Sequence, residues 1–94
     1  MEIKHEHDGH KGAFYWDDDG SRMGESTYTM AGPERLIIDH TVVEDSLRGT
    51  GKGAELVRAV VDYARENGLK ILPLCPFAST MFSKYRKEWA DVRV

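Results

Sequence analysis

The sequence contains one cysteine, Cys75, so no disulfide can form within the chain. It has no apolar run near the roughly 18 residues that a membrane helix needs. Its first residues, MEIKHEHDGHK, are charged where a secretory leader needs an apolar stretch. Positive charge is not in excess. The formal net charge is −3, so nothing general points to nucleic acid or to an anionic membrane as a partner. There is no internal repeat and no low-complexity tract. These absences predict a small cytoplasmic protein with a reduced thiol.

What is present suits one globular domain over residues 1–94. Hydrophobic residues make up 40% and charged residues 31% of the 94 positions, which argues against disorder. A chain of this length buries only about 60–65% of its unfolded surface, so a bound ligand should add usefully to its stability.

Turn signals cut the first half into strands. Residues 2–7 read as one strand, closed by Asp8-Gly9, and residues 12–16 as a second, closed by Asp17-Asp18-Asp19-Gly20. Asp-Gly favours a hairpin turn, and no downstream glutamate gives the aspartates calcium-loop spacing. Residues 22–30 make a third strand, ended by Gly32-Pro33. Residues 35–43, RLIIDHTVV, are β-branched and nearly continuous in apolar character, as in a central strand covered on both faces. Strict alternation puts Leu36, Ile38, His40 and Val42 on one face, and Ile37, Asp39, Thr41 and Val43 on the other.

The period then becomes helical. Leu56, Val57, Val60, Val61 and Ala64 form a stripe between Gly51 and Asn67, with Gly68 as the terminating glycine. Residues 70–74 read as a short strand ended by Pro76. A last helix is expected from about Ser79 to Trp89, with Met81, Phe82, Tyr85 and Trp89 on its core face and Lys84, Arg86 and Lys87 in solvent. The order β-β-β-β-α-β-α predicts an α+β fold with a mixed, mainly antiparallel sheet of about five strands. The strand-helix-strand unit would join two parallel strands.

The stretch Leu47-Arg48-Gly49-Thr50-Gly51-Lys52-Gly53-Ala54 lies between the fourth strand and the long helix. A helix N-terminus carries unpaired N–H groups and partial positive charge, and glycines let an anion approach the main chain. This is the chemistry of a phosphate cradle. It is not a Walker A loop, because Ser46 stands where the first glycine is required and Gly53 follows Lys52. Nor does Gly49-x-Gly51-x-Gly53, after a fourth strand in so short a chain, suit a dinucleotide fold.

The remaining match, Arg48-x-x-Gly51-x-Gly53, resembles the (Gln/Arg)-x-x-Gly-x-(Gly/Ala) signature of the GNAT superfamily of acyl-CoA-dependent N-acetyltransferases. The likeness extends from about Phe14 to Trp89. Asp39-His40-Thr41-Val42-Val43 and Pro73-Leu74-Cys75-Pro76-Phe77 are similar to elements of a minimal single-domain branch. The resemblance implies a truncated GNAT-like fold without the helix pair after the first strand and without the last two strands, the elements that normally build the acceptor pocket. It implies acetyl-CoA or coenzyme A as cofactor, held by the end of the fourth strand (Val42, Val43) and by Arg48, Gly49, Thr50, Gly51, Lys52 and Gly53.

The same resemblance puts Cys75 beside the thioester, either as a nucleophile or as part of the lining. His40 becomes a candidate base toward the acceptor amine or toward Cys75, against the alternative of a hydrogen-bonded core histidine. Glu25 and Tyr28 are a second possible base and acid; otherwise they lie on a solvated strand face. His5, His7 and His10 read as a solvated terminal strand, and no metal is assigned. The expected activity is direct transfer of an acetyl group to an amine on a small molecule or protein, by a monomer or weak homodimer. A non-catalytic CoA-binding module or sensor is the alternative, followed by an interaction domain without coenzyme.

Overall fold

A computed structural model describes residues 1–94. The elements run β1 (Glu2–His7), β2 (Lys11–Asp18), β3 (Ser21–Met30), β4 (Arg35–Val43), α1 (Lys52–Asn67), β5 (Lys70–Pro73) and α2 (Pro76–Lys84). Short 3₁₀ turns lie at Asp45–Leu47 and Ala90–Val92. The five strands form one sheet in sequence order, antiparallel through β4, with β5 parallel to β4. The α+β class, the strand count and the mixed sheet match the sequence reading. No helix is long and apolar enough to cross a membrane.

Local chemistry explains the turns. Asp19 and Gly20 both take positive φ, 52° and 92°, as a tight hairpin with right-handed strand twist requires. Helix α1 ends where Gly68 enters the left-handed region at φ 66° and returns its N–H to the Ala64 carbonyl. The stripe Leu56, Val57, Val60, Val61 and Ala64 is fully buried. It packs with Phe14, Trp16, Tyr28, Leu36, Ile38 and Ile71 from the sheet and with Ala78, Met81 and Phe82 from α2. Each large aliphatic side chain contributes about 1.5–3 kcal/mol by leaving water.

Both helices cover the same face of the sheet, and the other face is bare. The expectation that β4 is covered on both sides is therefore corrected. Leu36 and Ile38 are buried, whereas Asp39, His40 and Val42 are exposed. The apolar run in β4 serves one buried face and an open one.

Strict alternation along β4 also fails, for one local reason. Tyr28 pairs with Ile38, but Thr27 pairs with His40, so β4 holds one extra residue, Asp39, at a bulge. Beyond it every side chain changes sides. Leu36, Ile38, Thr41 and Val43 face the helices; Ile37, Asp39, His40 and Val42 face out. His40 does not share a face with Leu36 and Ile38.

The last helix is also displaced. It begins at Pro76 and ends at Lys84, where Ser79–Trp89 was expected. Proline has no N–H to give a strand, and for the same reason it fits the first position of a helix. Met81, Phe82 and Trp89 are buried as expected, but Trp89 reaches the core from the turn before the final 3₁₀ segment. The chain end lies beside β5, where Val94 N–H donates to the Ile71 carbonyl at 3.0 Å.

Candidate functional site: a glycine turn beside two diverging strands

The segment from Arg48 to Ala54 forms the turn that opens α1. Gly49 and Gly51 adopt φ of 76° and 82°, a region that side chains disfavour. Neither would meet an atom within 4 Å if given a Cβ, so backbone conformation is what calls for glycine here. Within the turn, Arg48 N–H donates to Asp45 and Thr50 N–H to Leu47, and Glu55 N–H closes the first helical turn on Gly51. The N–H groups of Gly49, Gly51, Lys52, Gly53 and Ala54 have no acceptor in the chain. Five donors on so short a stretch, at the positive end of a 16-residue helix, form an anion cradle.

The side chains around it are less committed to an anion than the main chain. The Arg48 guanidinium is 77% exposed and pairs with Asp45 at 3.2 Å. The Lys52 ammonium lies 4.3 Å above the Trp16 ring and 3.7 Å from Glu55. Trp16 Nε1–H in turn donates to the Lys52 carbonyl at 2.9 Å, which ties the head of α1 to β2. Thr50 Oγ1 donates to the Leu47 carbonyl.

Next to the cradle, β4 and β5 part. Their pairing ends at Ile38 and Pro73, after which Leu74 and Cys75 both send their N–H to the Ile38 carbonyl at 3.2 Å. From there β4 continues to Val43 without a strand partner on that side, while the chain after β5 turns into α2. The segments on either side carry exposed apolar residues: Val42, Leu74 and Phe77 are 54%, 61% and 43% exposed. Phe77 lies against Gly53, where a Cβ would come to 3.4 Å from the ring. The opening therefore runs from the anion cradle between β4 and α2.

Cys75 sits at the inner wall of this opening. It is the N-cap of α2, and its sulfur accepts the Ala78 N–H at 3.3 Å. It is 3% exposed, and its thiol donates to Thr41 Oγ1 at 3.6 Å. Thr41 also bonds the buried Ser26 hydroxyl at 3.0 Å.

His40 lies on the other side of β4. It is about half exposed, with Nε2 3.1 Å from Glu25 Oε2 and Nδ1 3.1 Å from Thr27 Oγ1. It borders a shallow depression of about 690 Å³ on the bare sheet face, together with Glu6, Lys11, Arg22, Glu25 and Asp39.

Residues 48–53 lie together in this turn, but the N–H groups of Arg48 and Thr50 are spent on Asp45 and Leu47, which corrects the expectation that all six main-chain N–H groups face an anion. Val42 and Val43 end β4, with Val43 beside Gly53. The pairing of His40 with Cys75 is corrected: the bulge sends His40 outward, and Thr41 takes its place beside the thiol. Glu25 and Tyr28 also part. Glu25 meets His40, whereas Tyr28 is 1% exposed under α1, where burial and the neighbouring Tyr63 phenol push its hydroxyl pKa far up. His5 is not a solvated residue either. It stacks on Phe14 at 4.0 Å and meets the Tyr28 hydroxyl at 2.6 Å. Burial, and then the charge of His7, lower its pKa.

Three residues of the site lie in the motifs of the sequence but carry no assigned role there. Ala54 adds a fifth donor, which its place in the first helical turn implied. Thr41 was hidden by the bulge, and Phe77 by the late start assigned to the last helix.

Comparison with known proteins gives the family and the fold. The family model described as GCN5-related N-acetyltransferase matches residues 13–92. The chain belongs to the GCN5-related N-acetyltransferase family. It is 40% identical to a GCN5-like protein from Staphylococcus aureus, with a TM-score of 0.72 over 99% of this chain and 87% of that one. It shares the fold of a ribosomal-protein-alanine N-acetyltransferase from Brucella melitensis at 22% identity and a TM-score of 0.64, over 93% of this chain and 64% of that one. A GNAT family acetyltransferase from Elizabethkingia anophelis, solved with acetyl-CoA bound, is 15% identical at a TM-score of 0.64, over 85% of this chain and 54% of that one. No curated protein sequence matches the chain significantly.

Proposed function

We propose that this protein transfers an acetyl group from acetyl-CoA to an amine by direct attack. The observation that carries the reading is the cluster of five main-chain donors at the head of α1, opening onto the gap between β4 and α2. The N–H groups of Gly49, Gly51, Lys52, Gly53 and Ala54 hold a pyrophosphate, and Val42, Val43 and Phe77 line the path of the arm that follows it. Acetyl-CoA supplies the thioester carbonyl. The edge of β4 beyond Ile38, without a strand partner there, offers its main chain to that carbonyl.

The inner side of the gap is filled by core, so an amine reaches the carbonyl from the bare sheet face. Asp39 and His40 are the titratable side chains of β4 at the bulge on that face. Asp39 holds the Thr29 hydroxyl, and His40 takes the proton that an ammonium must lose before it attacks. Cys75 lines the inner wall: it is buried, bonded on both sides, and has no base beside it. The acceptor is an amine of a small molecule or a protein, and the setting is the cytoplasm.

Calorimetric titration with CoA, together with an assay of thiol release from acetyl-CoA over a panel of amines, tests the proposal. Binding with amine-dependent thiol release is expected. Absence of CoA binding overturns it. Binding without transfer to any amine supports the second reading, a CoA-binding sensor, which the bare sheet face favours because no helix covers it to form an acceptor pocket.

A further inference from the structure

We propose that Glu25 is a positioning residue: it fixes His40 as the tautomer protonated on Nε2, so that Nδ1 is the atom that accepts the proton. The proposal rests on the reading of His40 as the base. Each ring nitrogen has one partner. Glu25 Oε2 lies 3.1 Å from Nε2, and Thr27 Oγ1 lies 3.1 Å from Nδ1. A carboxylate can only accept, so the Nε2 hydrogen points at Glu25. In a neutral ring Nδ1 then carries the lone pair, and the Thr27 hydroxyl donates to it.

Glu25 is itself held. Its other oxygen, Oε1, lies 3.5 Å from Arg22 Nη1, and Arg22 also pairs with Glu6 at 3.1 Å and lies 3.8 Å above the Tyr15 ring. The carboxylate therefore reaches His40 from a side chain anchored across β1, β2 and β3. All these groups lie on the bare face, and the Asp39 bulge is what brings His40 to them. Asp39 does not compete for the ring, because its Oδ2 takes the Thr29 hydroxyl at 2.6 Å.

The N–H bond of the incoming ammonium breaks, and its proton goes to Nδ1 as the Thr27 hydroxyl turns aside. The freed nitrogen pair forms the new C–N bond, and the C–S pair leaves with sulfur. The second amine proton goes to the leaving thiolate. His40, now an imidazolium with Nε2–H on Glu25, releases its proton to solvent.

Nitrogen-15 spectra of the His40 ring in the ligand-free protein, at a pH where the ring is neutral, give the tautomer directly. A predominant Nε2–H form is expected in the parent protein, and a mixture of the two forms in Glu25→Ala. A predominant Nδ1–H form in the parent, or identical populations in the variant, overturns the proposal whatever the enzyme does. In turnover, Glu25→Ala should lower kcat roughly tenfold or more, with CoA affinity unchanged, and Glu25→Ala/His40→Ala should be no slower than His40→Ala. Additive losses overturn the proposal, since Glu25 would then act without His40. Full turnover in His40→Ala overturns the base assignment beneath it, an outcome that the spectra tell apart from failure of the positioning itself.

Discussion

The Cys75 sulfur lies 3.6 Å from the Thr41 hydroxyl, and the two close the inner wall of the gap between β4 and α2. The sulfur also caps α2 through the Ala78 N–H. Both contacts give the thiol a structural duty without a base beside it. Cys75→Ala should therefore keep measurable acetyl transfer, within about tenfold of the parent, and lose about 1 kcal/mol of stability with the cap. Steady-state thiol release and urea denaturation check the two halves. Complete loss of turnover with CoA binding retained would support a covalent relay through Cys75 instead.

Gly51 tests the anion cradle. Its φ of 82° is costly for any side chain, and most of all for a β-branched one, although a Cβ meets no atom there. In Gly51→Val the turn must reshape or absorb about 1–3 kcal/mol of backbone strain. The five N–H groups then no longer converge. Calorimetry should show CoA affinity down by at least about tenfold, while circular dichroism shows the fold retained. Unchanged affinity would remove the turn from the cofactor site.

Gly12 tests packing away from the site. A Cβ there would clash with the Tyr28 ring, which is fully buried, and with the Glu6 carbonyl. Gly12→Ala must push Tyr28 out of the cluster it forms with His5, Phe14 and Tyr63. The expected cost is about 1–3 kcal/mol, or roughly 4–8 °C in Tm for each kcal/mol in a domain of this size. Differential scanning calorimetry measures it.

His5 should make stability depend on pH. Burial holds its folded pKa below the ordinary histidine value of about 6.5. The unfolded chain then binds the extra proton, so this contribution is complete above pH of about 6.5 and is lost as pH falls through the lower folded value. Urea midpoints between pH 8 and 5 should fall on the acid side in the parent protein. In His5→Phe, which keeps the ring stack on Phe14, that part of the slope should vanish. Equal slopes in the two proteins would mean that His5 titrates alike folded and unfolded.

Much of the fold was readable from residue order because its determinants are local. Asp19-Gly20 sets a hairpin turn by the φ values those two residues accept, and the 3.6-residue spacing from Leu56 to Ala64 lies on one side of α1 wherever that helix packs. Gly49, Gly51 and Gly53 announced the anion cradle for the same reason, since main-chain donors at a helix start depend on nothing distant. Pro76 shows where a local signal is ambiguous. Lack of an N–H ends a strand and equally begins a helix, and only the packing of Ala78, Met81 and Phe82 beneath α2 decides between them.

The residue pattern alone determined the α+β class, the order of elements and the loop that points to a bound pyrophosphate, because periodicity and backbone preference act over a few residues. The tertiary structure decided which face each side chain of β4 shows. One unpaired residue, Asp39, turns the strand over between Ile38 and His40, and such a bulge exists only relative to a neighbouring strand. That is why His40 meets Glu25 in the open while Cys75 meets Thr41 in the core.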